Sequence, residues 1–255
     1  MRLADTHAHL SDESFDADRD AVLRRAQAAG VALTVDVGAD LASSEKATAL
    51  AASCEMVRAA VGVHPHDASS FGEGELAVLR ELAGNPRVVA IGEIGLDFYR
   101  DVSPRQRQRD AFEVQLALAG ELRKPVLVHC RDAYAEVLES LHRWQGRIRG
   151  VLHCFSGTEQ TLFQALDQGL SISLAGPVTY PRAERTREIA RLVPAERLLV
   201  ETDCPYLAPV PKRGKRNEPA YLTHVLDAIA QARGVRAEDL AETTFENAEG
   251  FFGLS

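Results

Sequence analysis

The segment VVAIGEIGLDFYRDVSPRQRQRDAFEVQLALAGELRKPVLVHC, residues 88–130, decides the fold. It begins with an apolar run, VVAIGE (88–93), and ends with another, PVLVHC (125–130). Between them, SPRQRQRDAFEVQLALAGEL (103–122) carries apolar residues at helical period. Ser103 reads as the N-cap of that helix and Pro104 as its first residue. Two strands joined by a helical crossover of this length must run parallel.

The same unit recurs on both sides. The remaining strand candidates are RLADTH (2–7), ALTVDV (32–37), VRAAVGV (57–63), GVLHCF (150–155), LSISLA (170–175) and RLLVET (197–202). Gly30, Gly146 and Gly234 fall where helices should end. NEPAYLTHVLDAIAQARG (217–234) supplies the helix after the last strand. Eight such units in 255 residues predict an α/β fold, a TIM-like (β/α)8 barrel forming a single domain over residues 1–255. The alternative is an open doubly wound sheet, but no GxGxxG turn follows the first strand.

Composition narrows the class. Hydrophobic residues make up 45% and charged residues 26%, as in soluble globular proteins. No apolar run approaches the roughly 20 residues of a membrane helix, and no secretory leader is legible, so a cytoplasmic protein without a membrane partner is expected. A net charge of −8 argues against a broad nucleic-acid coat. It leaves room for a local cationic site beside bound cations. Cys54, Cys130, Cys154 and Cys204 are widely spread with no CxxC pair, against a disulfide framework or a thiolate zinc site.

Polar residues sit where the strands end. In DTHAHL (5–10), His7 and His9 are two apart and share a face in extended backbone, with Asp5 beside them. Strand four ends in Glu93, strand five in His129, strand six in His153 and strand eight in Asp203. One such residue is ordinarily a hydrogen-bonded structural group. Six metal-competent side chains on five strand ends, which a barrel brings together, predict a metal site. Cys130 and Cys154 follow His129 and His153 directly, so alternation turns their thiols to the helix layer. Nitrogen and oxygen donors suit magnesium, manganese or zinc. Six ligands exceed the need of one catalytic zinc, so at least two divalent ions are expected, with Glu93 bridging.

The substrate side is cationic. GVHPH (62–66) places His64 and His66 after strand three, and Arg131 lies two beyond His129. The last strand leads into a Pro/Gly-rich loop holding Lys212, Arg213, Lys215 and Arg216. A charge run of this kind is usually a solvated loop, but beside Asp203 it makes an anion site. Phe98, Tyr99, Phe155, Tyr180 and Tyr206 lie near strand ends and are candidates to line the mouth. For Phe155, core packing is an equal reading. His142 and His224 fall within helical patterns and read as ordinary helix residues.

DTHAHL, GVHPH, GEIGLDFYR, PVLVHCRDA, HCFSG, ETDCPYLAP and RGKRNEP stand in the order and spacing of a known family. The chain resembles, nearly end to end, the TatD-like metal-dependent deoxyribonucleases of the amidohydrolase superfamily. The resemblance implies a barrel with a divalent metal centre held by His7, His9, Glu93, His129, His153 and Asp203. It places a carboxylate, Glu93, where many superfamily relatives use a modified lysine. It also implies His64, Arg213, Asn217 and Glu218 near the substrate. Such proteins act as 3′→5′ exonucleases on single-stranded DNA and sometimes RNA, and related ones deacylate aminoacyl-tRNA. The expected roles are Asp203 as proton acceptor, Glu93 as bridge, His64 as a group on the phosphate or leaving oxygen, and Arg213 with Arg216 against developing charge. His66 and Arg131 are expected to add substrate contacts, and the chain to act as a monomer. A carbonyl hydrolase such as a D-aminoacyl-tRNA deacylase is the rival reading, and a noncatalytic metal- or nucleic-acid-binding barrel is a third.

Overall fold

The computed structural model describes residues 1–254. Eight strands alternate with helices: β1 (Leu3–Ala8), α1 (Arg19–Ala28), β2 (Val31–Val37), α2 (Leu41–Ser53), β3 (Val57–Val61), α3 (Glu73–Ala83), β4 (Val88–Asp97), α4 (Arg105–Leu122), β5 (Val126–Arg131), α5 (Tyr134–His142), β6 (Gly150–Leu152), α6 (Glu159–Asp167), β7 (Ser171–Leu174), α7 (Glu184–Leu192), β8 (Leu198–Val200), α8 (Leu222–Arg233) and α9 (Ala237–Phe252). Each strand pairs in parallel with the next, β1 through β8. The chain is thus a TIM-like barrel, and every predicted strand is present.

The seam between β8 and β1 is drawn together just beyond the ladder. Asp203 N–H donates to the His7 carbonyl at 2.9 Å, and His9 N–H donates to the Cys204 carbonyl at 2.7 Å. Asp5 accepts from Thr202 through both the backbone N–H (2.8 Å) and the hydroxyl (2.6 Å). Asp5 was expected to share the histidine face. Instead its buried carboxylate serves this seam, and burial, opposed by the Thr202 hydrogen bonds, pushes its pKa up to about 7.

Strand alternation divides the core in two. Outward side chains such as Val57, Val61, Val126, Val128, Leu198 and Val200 pack under the helices. Inward ones, including Leu33, Val35, Ala60, Leu127, Val151 and Leu199, fill the barrel together with Phe245, Ala248, Phe251 and Phe252 of α9. The last helix therefore lies across the barrel's N-terminal end, which sequence periodicity around the strands does not reveal.

Two local readings are corrected. Ser103 is not the N-cap of α4; Pro104 occupies that position and the helix starts at Arg105. The Ser103 hydroxyl instead donates to the His66 carbonyl (2.7 Å) and accepts from Ser69 N–H (3.1 Å), fastening the loop after β3 to the one after β4. Cys130 does pack in the outer core. Cys154 lies beyond the end of β6 in a left-handed backbone conformation, φ 43°, so strand alternation no longer aims its side chain. Its backbone N–H donates to the Glu201 carboxylate at 2.6 Å, and burial, then Asp203, Glu201 and Glu93, push its thiol well above the usual range.

Candidate metal centre

The strands deliver their polar ends to one place. In β5, Val126 and Val128 face the helices while Leu127 faces the interior, so His129 is in phase with Leu127 and turns inward. Glu93 lies between two glycines that allow close approach of β4 to β5. A Cβ on Gly92 would lie 2.6 Å from the Leu127 Cβ, and one on Gly95, where φ is 142°, would lie 2.0 Å from the His129 carbonyl oxygen. Glycine is thus required beside the residue that must reach the histidines. Asp203 adopts φ 56° in the turn after β8, an unusual conformation for a non-glycine residue of the kind that collects at functional sites.

Glu93 divides two groups of donors. Its Oε2 lies 3.5 Å from His7 Nε2 and 3.7 Å from His9 Nε2. Its Oε1 lies 2.8 Å from both His129 Nδ1 and His153 Nε2. On the first side, His7 Nε2 and His9 Nε2 are 3.3 Å apart, and Asp203 Oδ1 is 3.5 Å from His9 Nε2. Ligands about 2.0–2.1 Å from a tetrahedral cation stand roughly 3.4 Å from one another. These donor separations therefore suit a divalent ion, and the nitrogen and carboxylate chemistry suits one too. His7, His153 and Asp203 form a further compact donor trio, as do His64, Glu93 and His129.

Ring tautomers sort the histidines. His9 Nδ1 lies 2.8 Å from the Val37 carbonyl, which can only accept, so that nitrogen carries the proton and Nε2 offers a lone pair inward. His64 is the reverse. Its Nδ1 accepts from His66 N–H at 3.2 Å, which leaves Nε2–H directed at Glu93 Oε1, 3.5 Å away. His64 is therefore a donor at this site rather than a further lone pair. Burial pushes its pKa down to about 3, with nearby Glu93 opposing and His129 reinforcing the shift.

Carboxylates behind the cluster orient it. Asp97 Oδ2 lies 3.3 Å from His129 Nε2 and accepts at 2.9 Å from His66 Nε2. Glu201 Oε1 lies 3.3 Å from His153 Nδ1 and accepts from Cys154 N–H at 2.6 Å. Neither was singled out from sequence. Glu201 is two residues after the inward Leu199, and that phase was the available signal. Electrostatically, burial opposes charge on Glu93, but His153, His64 and the His129 hydrogen bond outweigh it and hold the carboxyl well below its usual range. Burial likewise opposes charge on Asp203, yet the neighbouring His9, His153 and His7 imidazoles hold its carboxyl below the usual range.

The expected substrate residues separate. Arg131 is exposed at the mouth, its guanidinium 4.1 Å from the Tyr99 ring centroid. Arg213 is exposed and stacks 4.5 Å over Tyr180. His66 is engaged by Asp97. Three residues expected at the substrate are occupied elsewhere. Arg216 grips Asp18 with two 2.8 Å bonds and covers Phe15. Glu218 pairs with Arg25. Asn217 is fully buried, and its amide donates to the Thr202 and Tyr206 carbonyls at 2.8 and 2.7 Å. These three brace the loop between β8 and α8 against α1 and the end of β8. Phe155 is buried in the core, Phe98 lies beneath Arg105, and Tyr206 stands open beside His9.

Similar proteins agree with this architecture. An uncharacterized metal-dependent hydrolase YabD of Bacillus subtilis is 39% identical over 99% of this chain and 100% of its own length. The 3′-5′ ssDNA/RNA exonuclease TatD of Cronobacter sakazakii is 45% identical, covering 97% of each chain. The crystal structure of YJJV, a TatD homologue of Escherichia coli, superposes with a TM-score of 0.94 at 31% identity, covering 100% of this chain and 99% of that one. The family model for TatD-related DNases matches residues 4–253, and the chain belongs to that family.

Proposed function

We propose that this chain is a divalent-metal-dependent nuclease that removes nucleotides from the 3′ end of single-stranded DNA, and of RNA as a second substrate. The observation that carries this reading is the split of the Glu93 carboxylate between two sets of imidazoles. His7, His9, Glu93 and Asp203 would hold one cation, and Glu93, His129 and His153 a second. Two cations sharing a carboxylate suit phosphoryl transfer, in which both attacking and leaving oxygens gather charge. When bound, they would supply Lewis acidity and make a water proton easy to lose near neutral pH.

The chain's own residues do the rest. Asp203, held as a carboxylate, takes up the proton of the attacking water at its side-chain oxygen. His64, a neutral Nε2–H donor, hydrogen-bonds a phosphate or leaving oxygen rather than carrying positive charge. Asp97 and Glu201 keep the His129 and His153 rings in register. Arg131 and Arg213, seated on tyrosine faces, are presented to the phosphates of the strand. The exonuclease named among the relatives supports the substrate class.

The test uses chelator-stripped protein and single-stranded DNA labelled at its 5′ end. Magnesium, manganese and zinc are added back separately, with His129→Ala as control. The expected result is a metal-dependent ladder shortening from the 3′ end and absent in the control. An intact strand under every metal would overturn the proposal and direct the next assay to ester and amide substrates.

A further inference from the structure

Tyr206 is both firmly mounted and open. Its backbone N–H donates to the Asp203 carbonyl at 2.9 Å, and its own carbonyl accepts from the buried Asn217 amide at 2.7 Å. The residue is thus fixed to the turn that carries Asp203. Its ring meets the His9 ring edge-on, centroids 5.9 Å apart at 68°. Even so, the residue is 55% exposed. The other tyrosines at the mouth differ in what rests on the ring: Tyr99, itself 62% exposed, carries the Arg131 guanidinium on one face, and Tyr180 carries that of Arg213. Phe155, also at a strand end, is only 3% exposed. Tyr206 therefore offers an uncovered aromatic face directly beside the His9 and Asp203 end of the cluster.

Rigid, uncovered aromatic rings stack unpaired bases, whatever the base. Resting on the nucleolytic reading above, we infer that Tyr206 is the stacking platform for a nucleobase adjoining the scissile phosphodiester. A base still inside a duplex must unstack before it can lie on this ring, so the platform selects for unpaired ends. The phenol hydroxyl has no part in this, which separates stacking from hydrogen bonding in the choice of variants.

The test places 2-aminopurine at the terminal or penultimate nucleotide of a single-stranded oligonucleotide whose last linkage is a phosphorothioate. Fluorescence and affinity are read with the magnesium-loaded enzyme. The wild type and Tyr206→Phe are expected to quench one of the two positions. Tyr206→Ala is expected to leave it bright and to bind roughly 5- to 150-fold more weakly. An abasic unit at that position should erase the difference between wild type and Tyr206→Ala. Equal quenching by Tyr206→Ala would overturn the inference. So would an affinity loss that persists with an abasic unit at either position, since the ring would then act only on the loop. Absence of any wild-type binding or shortening of single strands would remove the nucleolytic reading itself, and the inference with it.

Discussion

His153 turns its Nδ1 edge to Glu201, 3.3 Å away, on the side of the ring opposite Glu93. Glu201 is almost completely buried and spends its other contact on the Cys154 backbone N–H. A carboxylate behind a metal-binding imidazole fixes its orientation and raises its basicity. Glu201→Gln keeps the shape and removes the charge. It is expected to weaken manganese binding by about 10- to 100-fold, measured by calorimetric titration of chelator-stripped protein. Unchanged affinity would show that Glu201 only anchors the turn.

Asp203→Asn should abolish most turnover, by about 100- to 10,000-fold if its carboxylate is the proton acceptor. The Asp203 backbone bond to His7 is untouched by the change, so the melting temperature should move by only a few degrees. Near-normal turnover would take Asp203 out of the proton path.

Arg213→Ala tests the cationic rim. Arg213 is exposed and, among the described residues, stacks on Tyr180 without an ion pair. Its loss should raise KM for single-stranded DNA and reduce the slope of log affinity against log salt by about one. Hydrolysis of a small phosphodiester should be unaffected. An equal loss on both substrates would assign Arg213 to the chemistry at the metal centre.

Asn217→Ala separates a brace from a substrate contact. The side chain satisfies two carbonyls and accepts from Glu218 N–H. Leaving these groups buried without partners should cost about 2–3 kcal/mol, lowering the melting temperature by roughly 5–10 °C. A variant of native stability with weakened DNA binding would return Asn217 to the substrate side.

Metal removal should also destabilise the fold. A cation present at 100 times its dissociation constant contributes about 2.7 kcal/mol, so chelation should lower the melting temperature by roughly 5–10 °C. Differential scanning calorimetry with and without chelator reads this directly. Identical curves would mean that no cation is held in the folded protein under those conditions.

What could be read beforehand followed from periodicity. His129 is found because Leu127 precedes it by two in an extended strand, and the eight strands are found because each is a short apolar run before a polar end. Strand reasoning stops where the strand stops. Cys154, in a left-handed conformation past β6, falls outside it. Arg216, Asn217 and Glu218 stand beside one another in a motif, but their partners are Asp18, Thr202, Tyr206 and Arg25, most of them distant in the chain. Asp97 and Glu201 were legible by phase but carry no signature of their own, because a carboxylate that supports a histidine looks like any other. The α9 helix was missed because the strand–helix count was already complete without it.

That last helix has a consequence for traffic. With Phe245, Phe251 and Phe252 packed into the barrel's far end, the site is a blind well rather than a tunnel. A strand cannot be drawn through it, and under the proposed nuclease activity each released nucleotide would leave by the opening through which the next one arrives. If the chain shortens strands as proposed, departure and advance share a single doorway and must take turns, so clearance of product would set an upper bound on the pace of shortening.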